Sequence, residues 1–170
     1  VNDSGNFAVY PQEYTDSENL CEVFITQGST DTDAPHVGAS GGNVGLMSCG
    51  PNDKFAMRFS QSLGQLNFKR TFVRIDTGLQ GQDTPYKAFV SISKSTADKF
   101  KGQGSANRDH LDLGFETRIS PDTSLTASLL YNRAVNNNIL SITKAEYLSN
   151  PNLDFSSVIP QHLSSGNENI

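Results

Sequence analysis

Five segments between residues 55 and 132 alternate apolar with polar side chains, and this confines the chain to antiparallel β-structure before any other feature is weighed. Phe55, Met57 and Phe59 alternate with Ala56, Arg58 and Ser60. Thr71, Val73 and Ile75 alternate with Arg70, Phe72, Arg74 and Asp76. Tyr86, Ala88, Val90 and Ile92 alternate with Lys87, Phe89, Ser91 and Ser93, and Leu111, Leu113, Phe115, Thr117 and Ile119 with Asp112, Gly114, Glu116 and Arg118. The fifth segment sets Leu125, Ala127, Leu129 and Tyr131 against Thr126, Ser128, Leu130 and Asn132. Successive side chains of a strand point to opposite faces, so a period of two marks a strand with two unlike faces. The links "GQLN", "GLQGQDTP" and "SPDTS" are turn-like, which predicts a meander of neighbouring strands.

One face of that sheet carries no charge. The other carries Arg58, Arg70, Arg74, Asp76, Lys87, Asp112, Glu116 and Arg118. A soluble sheet would turn the apolar face to a core and the charged face to water. An outer-membrane barrel would turn the apolar face to lipid and the charged face into its lumen. Periodicity alone leaves both open.

Composition agrees with a β-rich, loop-rich chain: 14 glycines and 35 % hydrophobic residues do not suit a thick helical core. The net charge of -5 and the lack of a basic cluster along the sequence argue against nucleic acid or an anionic membrane surface as partner. No run of about 18 apolar residues is present, so no helical membrane span is predicted. Without an initiator Met or a signal peptide, the sequence reads as a mature or internal piece.

Ahead of the alternating segments lies "HVGASGGNVGLMSCG", rich in glycine. A phosphate-binding loop would set such glycines between a strand and a helix, and a Walker loop would end in Gly-Lys-Ser/Thr. Here Gly41, Gly42 and Gly45 run into Val44, Leu46 and Met47, which alternate like a strand, and no lysine follows. Tight turns or close backbone approach explain the glycines better. The segment ends on Cys49, while "CEVFITQG" begins on Cys21. If these two segments pair antiparallel, the cysteines become neighbours and a disulfide follows, which would require an oxidising compartment. The other reading leaves two reduced, buried cysteines. His36, His110 and His162 show no ligand spacing, so neither metal nor cofactor is expected. Ser40, Ser48 and the scattered acids form no nucleophile elbow or carboxylate pair, so the chain is not expected to be an enzyme.

"EVFITQG" from Glu22 and Val23 to Gly28, followed by "HVGASGGNVGLMS" with Gly38, Gly41, Gly42 and Gly45, resembles the end of the plug domain of TonB-dependent outer-membrane receptors. "FAMRFSQSLGQLNFKRTFVRIDTG" and "YKAFVSISKSTADKFKGQG" are similar to the first barrel strands of that family. Gln27 and Ser29 stand where the family usually has Arg and Pro. The resemblance implies a mainly β fold in which 1–54 end a plug, 55–136 form five barrel strands, and 137–170 form a long extracellular loop. Such barrels have about 22 strands and so need roughly 220 residues in strands alone, which makes this sequence an internal piece by that reading. It further implies import of a scarce, bulky nutrient such as a ferric siderophore, driven by the TonB energy-coupling protein, with the barrel in outer-membrane lipid. Arg58, Arg70, Arg74, Asp76, Glu116 and Arg118 would then face the lumen. A complete small outer-membrane barrel and a secreted β-sandwich adhesion module are the other readings. Within 137–170, "SITKAEYLSN" is helix-capable, capped by Ser141 or Thr143 and stopped before Pro151.

Overall fold

A computed structural model describes residues 15–28, 41–99, 104–136 and 142–151. The chain is mainly β, in two antiparallel sheets. A 3-10 turn over Ser17–Asn19 leads into β1 (Leu20–Gln27), which pairs with β2 (Gly42–Ser48). The second sheet is a five-stranded meander in sequence order: β3 (Phe55–Leu63), β4 (Lys69–Thr77), β5 (Tyr86–Asp98), β6 (Ser105–Ser120) and β7 (Thr123–Asn136). It is an open sheet among the described residues, with β3 and β7 at its edges. One helical turn, α1 (Lys144–Ser149), follows. Its N-cap is Thr143, whose side chain accepts from the Glu146 N–H while the Glu146 carboxylate accepts from the Thr143 N–H. His36, Gly38, His162 and most of the expected loop 137–170 lie outside the described residues.

All five alternating segments are strands, yet three run further than their alternation indicates. β5 continues through "SKSTAD", β6 begins at Ser105, and β7 reaches Asn136. The extensions of β5 and β6 are largely polar on both faces, and that of β7 mixes Arg133 and Asn136 with Ala134 and Val135. The backbone ladder continues there because amide pairing does not depend on a contrast between faces. The β3–β4 turn places Leu66 and Asn67 at φ 57° and 53°, and Phe68 N–H donates to Gln65 O at 3.1 Å, the pattern of a type I′ hairpin turn. Leucine is an uncommon occupant of this region. Two bonds from β5 brace it: Asp98 N–H donates to Leu66 O at 2.7 Å, and the Asn67 amide donates to the Asp98 carboxylate.

Burial on the large sheet is inverted relative to a soluble half-buried sheet. Among the described residues the buried apolar side chains are Phe72 and Phe89, whereas Asp16, Asn19, Arg74, Asp76, Ser91, Ser93, Lys99, His110 and Asp112 are all buried. Phe55, Met57, Phe59, Ile92, Leu125 and Leu129, on the uncharged face, are exposed. The register aligns that face into continuous rows, such as Met57, Ile75, Val90, Leu113 and Leu129, and next to it Phe59, Val73, Ile92, Leu111 and Tyr131. What covers the charged face is the chain on either side of the small sheet, residues 16–19 and 50–52.

The small sheet is tied at its base. Leu20 pairs with Ser48 and Glu22 with Met47, so Cys21 occupies an irregularity in β1 and lies beside Cys49, to which it is joined by a disulfide. With a sequence separation of 28, the chain-entropy account assigns this closure about 3 to 4 kcal/mol. Replacing Cys21 by Ser should lower stability by about that amount and leave Cys49 open to alkylation without reductant. Mass measurement after labelling reads this directly: labelling of both cysteines in unreduced wild-type protein would contradict the bridge.

Candidate functional site

The site is the covered, charged face of β4, β5 and β6 together with the two chain legs that lie on it. Inward-facing rows follow from the register: Arg70, Ser95 and Arg108; then Phe72, Ser93, His110 and Asn132; then Arg58, Arg74, Ser91 and Asp112; then Asp76, Phe89 and Gly114; then Lys87 and Glu116.

The first leg descends from Asp16 to Asn19. One Asp16 carboxylate oxygen accepts from Arg108 Nη1 at 2.6 Å, Ser93 Oγ at 3.0 Å and Arg70 Nη2 at 3.1 Å. Glu18 takes Arg70 in a two-point fork, Nη1 at 2.5 Å and Nη2 at 2.8 Å. Asn19 is 2 % exposed; its amide donates to Ser91 Oγ at 2.6 Å and Asp112 Oδ2 at 3.0 Å, and its carbonyl oxygen accepts from Arg74 Nη1 at 3.0 Å. Arg74 also holds the second leg, donating from Nη2 to Gly50 O at 2.8 Å. Asp76 fixes the guanidinium through Nε at 3.0 Å and Nη2 at 2.9 Å, and accepts from the Asn52 N–H at 2.9 Å. Cys49 N–H donates to Asn19 O at 2.7 Å, so the legs are bonded to each other as well as to the sheet.

Packing around Arg74 depends on a missing side chain. Phe89 lies across Gly114, where a Cβ would stand 2.2 Å from the ring, and the Arg74 guanidinium stacks over the same ring at 3.8 Å from its centroid. Gly45 in β2 uses the same device, since a Cβ there would meet the Phe24 ring at 2.0 Å. That close approach fits an architectural role for the glycine-rich segment.

The remaining sequence-derived positions are distributed as follows. Arg70, Arg74 and Asp76 lie in the network. Glu116 pairs with Lys87 at 3.1 Å, and Lys87 also reaches Asp53 at 2.9 Å. Arg58 and Arg118 stand exposed at the margins of the charged face. Glu22, Val23, Gly28, Gly41 and Gly42 belong to the small sheet and its ends and do not touch the network. A cavity of about 560 Å³ lies between the legs and the sheet, walled by the disulfide, Glu18, Arg58, Arg74, Lys87 and Glu116. Its lining has both signs of charge. Among the described residues no three His, Cys, Asp or Glu side chains are placed to hold a metal, and no helix is long and apolar enough to cross a membrane.

The sequence does not single out Asp16, Glu18, Asn19 or Arg108, and it marks His110 only as a histidine without ligand spacing. The first three sit in "TDSENL", a polar stretch without period, and only their position opposite the arginines distinguishes them.

Burial works against the charge of Asp16, but the hydrogen bonds from Arg108 and Ser93 and the charges of Arg108 and His110 outweigh it and hold the carboxyl below its ordinary 3.8. Glu18 is held below its ordinary 4.5, chiefly by the Arg70 hydrogen bonds. Groups whose acidity rises on folding stabilise the fold above their unfolded values and lose that contribution as pH falls through the folded ones. Acidification below about pH 4 should therefore loosen residues 15–19 from the sheet, while the range from pH 5 to 7 leaves them in place through these two acids. Asp16→Asn removes the charge shared by two arginines and should cost about 3 kcal/mol, with faster amide exchange at Asn19 and Cys49. Unchanged exchange in that variant would show that the first leg is held without Asp16.

No protein family, curated protein or solved structure matches this chain.

Proposed function

We propose that the chain is the end of a plug domain and the first five wall strands of a TonB-dependent outer-membrane transporter. Residues 15–54 are read as plug and β3–β7 as the start of a barrel of about 22 strands, importing a bulky nutrient such as a ferric siderophore. The observation that carries this reading is the inverted sheet: its charged face is the covered one and its apolar face is exposed. In water that arrangement leaves a broad apolar surface solvated, at about 25 cal/mol for each Å². Against lipid the same surface is at home, and charged residues belong inside the lumen.

Three further features support it. Four successive outward rows, from Tyr86, Thr117 and Leu125 to Phe59, Val73, Ile92, Leu111 and Tyr131, carry no charge. At two residues per row they extend about 20 Å along the strands, close to the apolar band of a barrel. The open edges of β3 and β7 are where further wall strands would pair. The legs are a polar plug-to-wall contact of the kind a removable plug requires, with hydrogen bonds and ion pairs in place of apolar packing. The disulfide fits an extracytoplasmic location.

The test compares a charge on the two faces of β7. Leu129 faces outward and Ser128 inward, so Leu129→Arg should impair assembly into outer membranes by about 2 to 4 kcal/mol while Ser128→Arg is tolerated. Gly114 is unsuitable for the inward substitution because Phe89 occupies its Cβ space. Equal tolerance at 128 and 129, with a soluble, monomeric and cooperatively unfolding product, would favour a secreted β-sandwich instead.

A further inference from the structure

The outward face changes character at one end of the apolar rows. Directly beyond Phe59, Val73, Ile92, Leu111 and Tyr131 comes the row Gln61, Thr71, Lys94, Asp109 and Arg133, and beyond that the mixed row Leu63, Lys69, Thr96, Asn107 and Val135. Lys94 and Arg133 flank Asp109 across neighbouring strands, so their backbones are about 10 Å apart. Lys69 lies diagonal to Lys94, about 7 to 8 Å away. Lys69 and Arg133 are exposed and have no acidic partner among the described residues. Lys94 meets Asp109 at 3.5 Å with its side chain 69 % exposed. One acid therefore stands among three cations. Asp98, further out, is engaged by Asn67.

The other end of the apolar rows is different. Its outward residues are Tyr86, Thr117, Ile119, Leu125 and Thr123, none of them cationic, and Tyr86 stacks with Phe115 at 6.2 Å. Within the strands of a chain of net charge -5, three outward cations thus gather at one border of the apolar face and none at the other, where Lys54 stands exposed one residue before β3. The expectation from net charge, that no anionic membrane surface is contacted, does not extend to this border, because strand register collects cations that are distant in sequence.

We infer that Lys69, Lys94 and Arg133 form a docking row for the phosphate groups of anionic lipid in one leaflet. This rests on the membrane reading above and adds to it a lipid class and a leaflet. An apolar surface that ends in cations suits a molecule with acyl chains below an anionic head group, since the chains follow the apolar rows while the phosphate meets the ammonium and guanidinium groups. By the plug-first strand order, the leaflet is the one on the side of the β3–β4 and β5–β6 turns, away from Pro51.

The experiment uses the full-length transporter implied by that reading, with these strands in its closed barrel, in phosphatidylcholine vesicles doped with phosphatidic acid, extracted gently and weighed by native mass spectrometry. Wild-type protein should retain phosphatidic acid over phosphatidylcholine, and Lys69→Gln, Lys94→Gln and Arg133→Gln should each weaken retention about fivefold, with a steep loss in salt. Arg118→Gln removes the same charge from the exposed margin of the opposite face and should retain the lipid as wild type does. Equal retention by wild type and single variants, with all of them in the bilayer, would overturn the docking row and leave the membrane reading intact. Displacement of the lipid by millimolar inorganic phosphate would overturn it too, by showing that the acyl chains add nothing. Failure of the wild type to enter bilayers at all would overturn both.

Discussion

The guanidinium of Arg74 is the point on which the described structure depends. It joins the sheet to both legs of the chain that covers it, through Asn19 and Gly50, while Asp76 and Phe89 hold it in place. A buried charge survives only when it is paired and its remaining donors are used. Here Nε and both terminal nitrogens have acceptors, and the one Asp76 carboxylate also binds the Asn52 amide. Removing Arg74 would leave Asp76 and Asn19 buried without their main partner, so the covering legs and the charged face hold each other in place.

From this anchor the small sheet takes its position. Two strands alone are marginal in water, and Val23, Ile25 and Val44 are exposed on one face of the pair. The disulfide closes the pair two residues beyond Asn19 and one before Gly50, where the legs are fixed to the large sheet. Force or thermal motion acting on one leg is therefore shared by the other. A contact made of hydrogen bonds and ion pairs can re-form after opening, which suits a plug that must shift for cargo to pass, as the proposed transport role requires.

The two faces of the large sheet have unlike surroundings. Its charged side keeps Arg74, Asp76 and Asp112 buried and Arg70 and Arg108 part-buried under a polar cover, which desolvates them but supplies partners. Its apolar side is exposed and needs an apolar neighbour, which in the proposed reading is bilayer hydrocarbon.

The sequence by itself determined the meander, because five period-two segments joined by short links admit little else, and it determined which residues share each face. It also brought Cys21 and Cys49 together once the flanking segments were taken to pair. Strand lengths were less legible: the added ends of β5 and β6 are largely polar on both faces and that of β7 is mixed, so alternation fell silent while the backbone ladder continued. Only the tertiary structure decided which face is covered. Asp16, Glu18 and Asn19 lie more than fifty positions from the arginines they bind, in a stretch without periodicity, and no local pattern encodes a contact made across that distance. The cationic row is legible only in register for the same reason: Lys69, Lys94 and Arg133 belong to three different strands, and pairing between strands is what places them side by side.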